Sequence, residues 1–147
     1  MGVGQREKAT QKRVIKLFAQ ELGYTYLGDF TERKNSNIET ELLTKFLTRK
    51  GYSPVLISRA LKELQDAAGD QSVNLYDLNE QTYKKLRYGV KVGESVGQHK
   101  TTVQFVDWEH PLENDFYIAE EVTIKHKRPD LVLYINGIAF AVIELKR

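Results

Sequence analysis

The chain has 147 residues, enough for one domain, and its 22 Lys and Arg against 20 Asp and Glu leave a net charge of +2. A hydrophobic content of 41% argues against intrinsic disorder, and no apolar run approaches the ~20 residues of a membrane span. We expect no secretory signal, because the first residues lack an apolar stretch. The absence of cysteine excludes disulfides and a cysteine nucleophile and fits a cytoplasmic protein.

The first part of the chain shows helical periodicity. Apolar residues recur at spacings of three and four over four segments, residues 5–22, 38–50, 53–69 and 74–88. Asn37 is a candidate N-cap of the second helix, and Ser53 followed by Pro54 is typical of an N-cap and a first helical position. We therefore expect residues 1–89 to be mainly helical.

The second part of the chain favours strands, because β-branched and aromatic residues recur there with a period of two. The predicted strands of this part cover residues 101–108, 115–125, 130–135 and 138–146. A short strand is also predicted earlier in the chain, at residues 24–30. Residues 90–147 are then the β-rich part of a single domain. Helices followed by strands predict an α+β fold, with helices packed on a mixed β-sheet.

Two carboxylates and a lysine stand close together in the last two predicted strands. Asp130 precedes Glu144 by fourteen positions, and Lys146 lies two residues after Glu144 on the same face of a strand. Asp130 and Glu144 could hold a hard divalent cation through oxygen, and Lys146 could orient a water or balance charge on phosphorus. The alternative is that Glu144 and Lys146 are edge charges that protect an apolar hairpin from aggregation.

The register of this last hairpin decides whether the carboxylates can meet. A two-residue loop, Asn136–Gly137, would place Asp130 and Glu144 on opposite faces. A three-residue loop over 135–137 would put every charge on one face and leave the other face apolar. We predict the three-residue loop, with Gly137 in the left-handed region, and a bulge elsewhere in either strand would restore the same parity.

Several segments resemble one family. DLVLYINGIAFAVIELKR at 130–147 is similar to the nuclease core of the restriction (R) subunit of type I restriction enzymes. Four further segments resemble the same subunit: LYDLNEQTY at 75–83, LRYGV at 86–90, FVDWE at 105–109 and NDF at 114–116. The resemblance runs from about residue 10 to the end.

The resemblance implies a restriction-endonuclease-like PD-(D/E)xK core and Mg²⁺-dependent cleavage of unmodified double-stranded DNA. By motif match, Asp130, Glu144 and Lys146 take the catalytic positions, and Asp130 and Glu144 the metal positions. Many nucleases of this fold also carry an acidic residue on the first helix, where Glu7 and Glu21 are the candidates here.

Beyond the positions that resemble residue 147, family members continue through a Gln-x-x-x-Tyr motif of the nuclease domain and then an ATP-driven motor. We therefore expect a carboxy-terminally truncated, amino-terminal fragment that has weak activity or none alone, with ATP needed only by the motor. The implied partners are double-stranded DNA and the modification and specificity subunits, and no membrane.

Two basic clusters are candidate DNA contacts. Lys125, Lys127 and Arg128 flank Asp130, where phosphate contacts are plausible. The other cluster is more readily explained as a solvated helix face and comprises Lys84, Lys85 and Arg87. For Glu120 and Glu121, an ion pair with nearby basic residues is favoured over a metal contact.

Other candidate sites are weaker. The glycines from Gly93 onward lack Walker A spacing, and the three histidines are scattered without zinc-site spacing. Two alternatives to the restriction subunit remain open: another PD-(D/E)xK nuclease from repair or a mobile element, and a non-catalytic docking module in which the carboxylates are structural.

Overall fold

The computed structural model describes residues 3–69, 72 and 74–146. The helices are α1 (Val3–Lys16), α2 (Thr40–Arg49), α3 (Pro54–Ala68) and α4 (Leu75–Tyr88), and α1 continues into a π-helical turn at Leu17–Glu21. The strands are β1 (Thr25–Asp29), β2 (Val90–Val92), β3 (Thr101–Val103), β4 (Phe116–Glu120), β5 (Leu131–Ile135) and β6 (Ile138–Ile143).

The chain divides into two compact units. One unit is discontinuous and combines residues 1–39 with 115–147; the other is residues 40–114. None of the helices in the described ranges is long and apolar enough to cross a membrane.

The discontinuous unit contains a four-stranded sheet in the order β1-β4-β5-β6. β1 and β4 are parallel, whereas β4–β5 and β5–β6 are antiparallel. Helix α1 covers one face, where Ile15 packs with Ile118, Leu131 and Leu133. Burying each such side chain contributes roughly 1.5–3 kcal/mol, so this contact fixes α1 on the sheet. The predicted α+β class with a mixed sheet is confirmed.

The other unit packs α3 against α2, α4 and the two-stranded antiparallel sheet β2–β3. Its core is fully buried and comprises Leu43, Phe46, Leu47, Ala60, Leu64, Val103 and Phe105. The predicted N-cap of α3 is confirmed, because the Ser53 hydroxyl accepts a hydrogen bond from Leu56 N–H at 3.3 Å, with Pro54 at the first position.

The predicted start of α2 is wrong. Ile38 instead forms an antiparallel bridge with Ile138, and the Asn37 carbonyl accepts a hydrogen bond from Ala139 N–H. Asn37 is therefore a partner of β6, not an N-cap, and α2 begins at Thr40. A long-range pairing has replaced the local helical preference.

Several strand boundaries also differ. The predicted strands at 101–108 and 115–125 end earlier, at Val103 and Glu120, and β2 was not predicted. Glu121 has a φ of 55°, in the left-handed region, so β4 cannot continue through it.

The predicted three-residue hairpin loop is wrong, but the predicted parity is confirmed. Ile135 pairs with Ile138 across a two-residue turn in which Asn136 and Gly137 have φ values of 54° and 92°, as in a type I′ turn. The register shifts one step later: Tyr134 pairs with Ala139, but Leu133 pairs with Ala141. The unpaired Phe140 is thus a β-bulge, and beyond it the odd-numbered residues of both strands pack with Ile15 of α1, namely Leu131, Leu133, Ala141 and Ile143.

Candidate metal centre

Acidic side chains collect at one edge of the four-stranded sheet. β1 and β4 are parallel and both end at this edge, with Asp29 paired to Glu120. The antiparallel β5 begins here after Asp130, and β6 ends here before Glu144. Four strand ends therefore bring together carboxylates that are far apart in sequence.

Asp130 and Glu144 flank the last pair of the β5–β6 ladder. Leu131 pairs with Ile143, and Asp130 and Glu144 are the next residues outward along the chain. Asp130 Oδ2 accepts a hydrogen bond of 2.7 Å from Leu145 N–H. This bond holds the segment after β6 against the Asp130 carboxylate.

Glu144 and Lys146 are exposed and follow β6, rather than lying within the strand as predicted. They flank Leu145, the residue whose amide binds Asp130. The two carboxylates and the lysine thus lie at one end of one hairpin.

Glu121 links three parts of this edge. Its amide donates to the Asp130 carbonyl at 3.0 Å, its Oε2 lies 3.1 Å from Arg128 Nε, and its Oε1 accepts from Gln11 Nε2 at 3.4 Å. The side chain is only 13% exposed. The predicted ion pair is therefore present, and it fixes the loop that leads into Asp130.

Helix α1 presents a polar face to the same edge. Gln11 is buried against Glu121, and Glu7 is one turn earlier on the same face and half-buried. Glu21 is exposed in the π-helical turn, beyond the apolar Ile15. Of the two first-helix candidates, Glu7 is the one on the face that meets the sheet edge.

Asp29 is an acidic residue at this edge that was not predicted from the sequence. Hydrogen bonds from the Thr31 hydroxyl and amide lower the pKa of its carboxyl, and Lys8 and Arg128 act in the same direction. Only the parallel pairing of β1 with β4 brings Asp29 here, and the local sequence carries no signal for that pairing.

The two basic clusters differ in their environment. Lys125 and Lys127 are exposed in the turn before Asp130, and Arg128 is 59% exposed beside Glu121. In the other compact unit, Lys84 pairs with Glu80 at 3.0 Å and Lys85 with Glu63 at 3.5 Å.

The donor chemistry of Asp130 and Glu144 fits a hard divalent cation. Both supply carboxylate oxygen, and Mg²⁺ commonly uses one or two carboxylates and keeps several waters. Within residues 3–69, 72 and 74–146, no group of three or more His, Cys, Asp or Glu is close enough to form a complete metal site.

The comparisons with known proteins point to one family. Residues 4–147 match the family model described as "Type I restriction enzyme R protein N terminus". One curated relative is 28% identical over 142 residues, 85% of this chain, and is named "Putative type I restriction enzyme MjaIXP endonuclease subunit" of Methanocaldococcus jannaschii.

The chain spans 14% of the length of that relative. No solved structure matches the chain significantly. Because the family model covers nearly every residue, including both carboxylates and Lys146, the chain belongs to the family of type I restriction enzyme R protein amino termini.

Proposed function

We propose that this chain is the nuclease region of a type I restriction R subunit and hydrolyses phosphodiester bonds in double-stranded DNA with Mg²⁺. The core would be of the PD-(D/E)xK type. The observation that carries the proposal is the bulged register of β5 and β6, which places Asp130 and Glu144 just beyond the same last pair of the ladder while Leu145 N–H binds Asp130.

Asp130 and Glu144 would hold the cation, with Asp130 Oδ1 and the exposed Glu144 carboxylate as donors. The cation, when bound, polarises a phosphoryl oxygen and lowers the pKa of a bound water. Lys146, two residues from Glu144, would donate to that water or to the phosphate and stabilise developing negative charge. Glu121 would keep Asp130 in place through its backbone.

Lys125, Lys127 and Arg128 would contact phosphates beside the site. These contacts would position the duplex without reading its sequence. Lys84, Lys85 and Arg87 are weaker DNA candidates, because Lys84 and Lys85 are paired with glutamates. In the whole protein we expect ATP to act through a separate motor, target choice to belong to modification and specificity subunits, and the complex to be cytoplasmic.

A plasmid-nicking assay tests the proposed activity. Incubated with supercoiled plasmid and Mg²⁺ or Mn²⁺, the chain should nick slowly, and chelation of the metal should stop the reaction. Asp130→Asn, Glu144→Gln and Lys146→Ala should each reduce the rate at least ~100-fold, because each removes a group that stabilises the transition state.

The matched control is Lys100→Ala, an exposed lysine of the other unit. Nicking that survives unchanged in Asp130→Asn and Glu144→Gln would contradict the proposed site. A chain that neither nicks DNA nor binds metal would instead favour a docking role with structural carboxylates.

A further inference from the structure

The unit formed by residues 40–114 contains a cleft that the proposed nuclease chemistry does not use. Its volume is about 370 Å³, within the size range of small-molecule sites. Aromatic side chains form much of its wall, namely Phe46, Tyr52 and Trp108. Trp108 is 48% exposed, so a large flat apolar surface is accessible to a ligand.

The Trp108 ring is held in a fixed orientation. Its Nε1–H donates to the Leu86 carbonyl at 3.0 Å, and the Arg87 guanidinium lies 5.2 Å from the ring centroid. A rigid aromatic side chain loses little entropy when a planar group stacks on it. The cleft therefore offers a preformed stacking platform.

Gln104 provides an unpaired acceptor in the same cleft. Its Oε1 is shielded from solvent and accepts no hydrogen bond from the described residues. The side-chain amide is oriented by Nε2, which donates to the Tyr88 carbonyl at 3.3 Å, and the Gln104 backbone is held by its N–H, which donates to the Tyr52 hydroxyl at 3.1 Å. An unpaired buried carbonyl is destabilising, and a ligand N–H would offset that cost.

The charges of the cleft nearly cancel. Lys50 Nζ lies 2.7 Å from Asp107 Oδ2 and His110 Nδ1 lies 3.6 Å from Asp107 Oδ1. Arg87 and Glu109, of opposite charge, also line the cleft. A phosphate site would be more strongly basic. The lining instead suits a neutral, planar ligand that carries an N–H donor.

We propose that this cleft binds a nucleobase with an exocyclic amino group, stacked on Trp108 and hydrogen-bonded to Gln104 Oε1. This inference rests on the proposed function, because that function brings DNA to the protein. The base would then come from an unpaired DNA strand. A free nucleotide carries the same chemistry. Base–aromatic stacking is strong enough to hold a single base, and Gln104 favours adenine or cytosine by donor geometry.

Trp108 is the single tryptophan of the chain, so its fluorescence reports directly on the cleft. In a metal-free buffer, a short deoxyadenylate strand should quench the fluorescence saturably, and an abasic strand of equal length should not. The quenching should depend only weakly on salt, because few phosphates are neutralised. Deoxyadenosine monophosphate, titrated in parallel, distinguishes a free nucleotide from a strand as the source of the base.

Gln104→Leu separates recognition from folding. Leucine has a similar volume and removes both the unpaired acceptor and the Nε2 hydrogen bond to Tyr88, two changes with opposite effects on stability, so thermal stability should change little. Affinity for deoxyadenylate should fall about threefold to tenfold. Gln98→Leu, an exposed glutamine of the same unit, should change nothing. Glu144→Gln should bind deoxyadenylate normally, so this site and the proposed nuclease site can fail independently.

Three results would overturn the proposal. The first is that neither deoxyadenylate nor its mononucleotide quenches the Trp108 fluorescence. The second is that the abasic strand quenches it equally, and the third is that Gln104→Leu binds deoxyadenylate with unchanged affinity. Quenching by the mononucleotide as strong as that by the strand would support a base pocket that serves free nucleotides.

Discussion

At the residue scale, Tyr134 is the largest fully buried side chain, and its hydroxyl has no hydrogen-bond partner among the described residues. Tyr134→Phe should therefore raise the free energy of unfolding by about 1 kcal/mol, because it removes an unpaired polar group and retains the ring. Urea unfolding measures this change. A loss of stability in the variant would mean that the hydroxyl has a partner.

The same residue predicts an alkaline dependence of stability. Burial, and then the nearby Glu39 carboxylate, raise the pKa of Tyr134 to about 12, while Arg33 opposes them. In the unfolded chain the phenol ionises near pH 10. The folded state then binds more protons between about pH 10 and 12, so stability should fall across that window. Tyr134→Phe should show a shallower fall in parallel urea titrations.

Glu121 is the residue we expect to support the candidate metal centre without touching the metal. Glu121→Gln keeps the backbone bond to Asp130 but weakens the contact with Arg128. Loss of such supporting contacts typically costs about tenfold or more in metal affinity, and we expect a reduction of that size in a manganese titration. An unchanged affinity together with unchanged stability would show that the Glu121–Arg128 pair is incidental.

At the scale of elements, the β5–β6 turn depends on Asn136. This residue has a φ of 54°, is fully buried, and its Oδ1 accepts from Asp115 N–H at 2.7 Å. Asn136→Ala should destabilise the fold by about 2–4 kcal/mol, since it strains the backbone and leaves the Asp115 amide unpaired. Asn136→Gly should cost less, because glycine tolerates the positive φ. Equal losses in thermal unfolding would contradict the role of φ.

The amino end of α3 gives a second test of an element. Ser53→Ala removes the hydroxyl that accepts from Leu56 N–H and should cost about 1 kcal/mol. Ser58→Ala, an exposed position within the same helix, should cost little or slightly stabilise it. Equal effects of the two substitutions on the midpoint of urea unfolding would argue against the cap.

Local signals in the sequence predicted local structure well. The Ser53–Pro54 start of α3 and the Asn136–Gly137 turn are both where their residues indicated. The prediction that Asp130 and Glu144 share a face came from the requirement for one apolar face, although the bulge is at Phe140 and the loop has two residues. The separation of an apolar face from a charged face constrains the whole hairpin. It therefore predicted which positions of the two strands share a face, but not which residue forms the bulge.

At the scale of the whole molecule, pairing between distant segments was not predictable. β1 pairs with β4 although all of residues 40–114 lie between them in the sequence. This pairing brings Asp29 to the candidate metal centre. Ile38 pairs with Ile138 against its local helical preference. Neither contact leaves a periodic signal in the sequence, because each depends on the completed sheet.

The central claim is that Asp130 and Glu144 form one cation site within this chain. The most direct measurement is calorimetric titration of Mn²⁺ and Mg²⁺ into the parent, Asp130→Asn and Glu144→Gln, with Glu41→Gln as control. Glu41 is an exposed glutamate of α2 in the other unit.

We predict saturable binding by the parent and the control, and at least tenfold weaker binding by both site variants. Equal binding by all four proteins, or no binding by the parent, would contradict the claim.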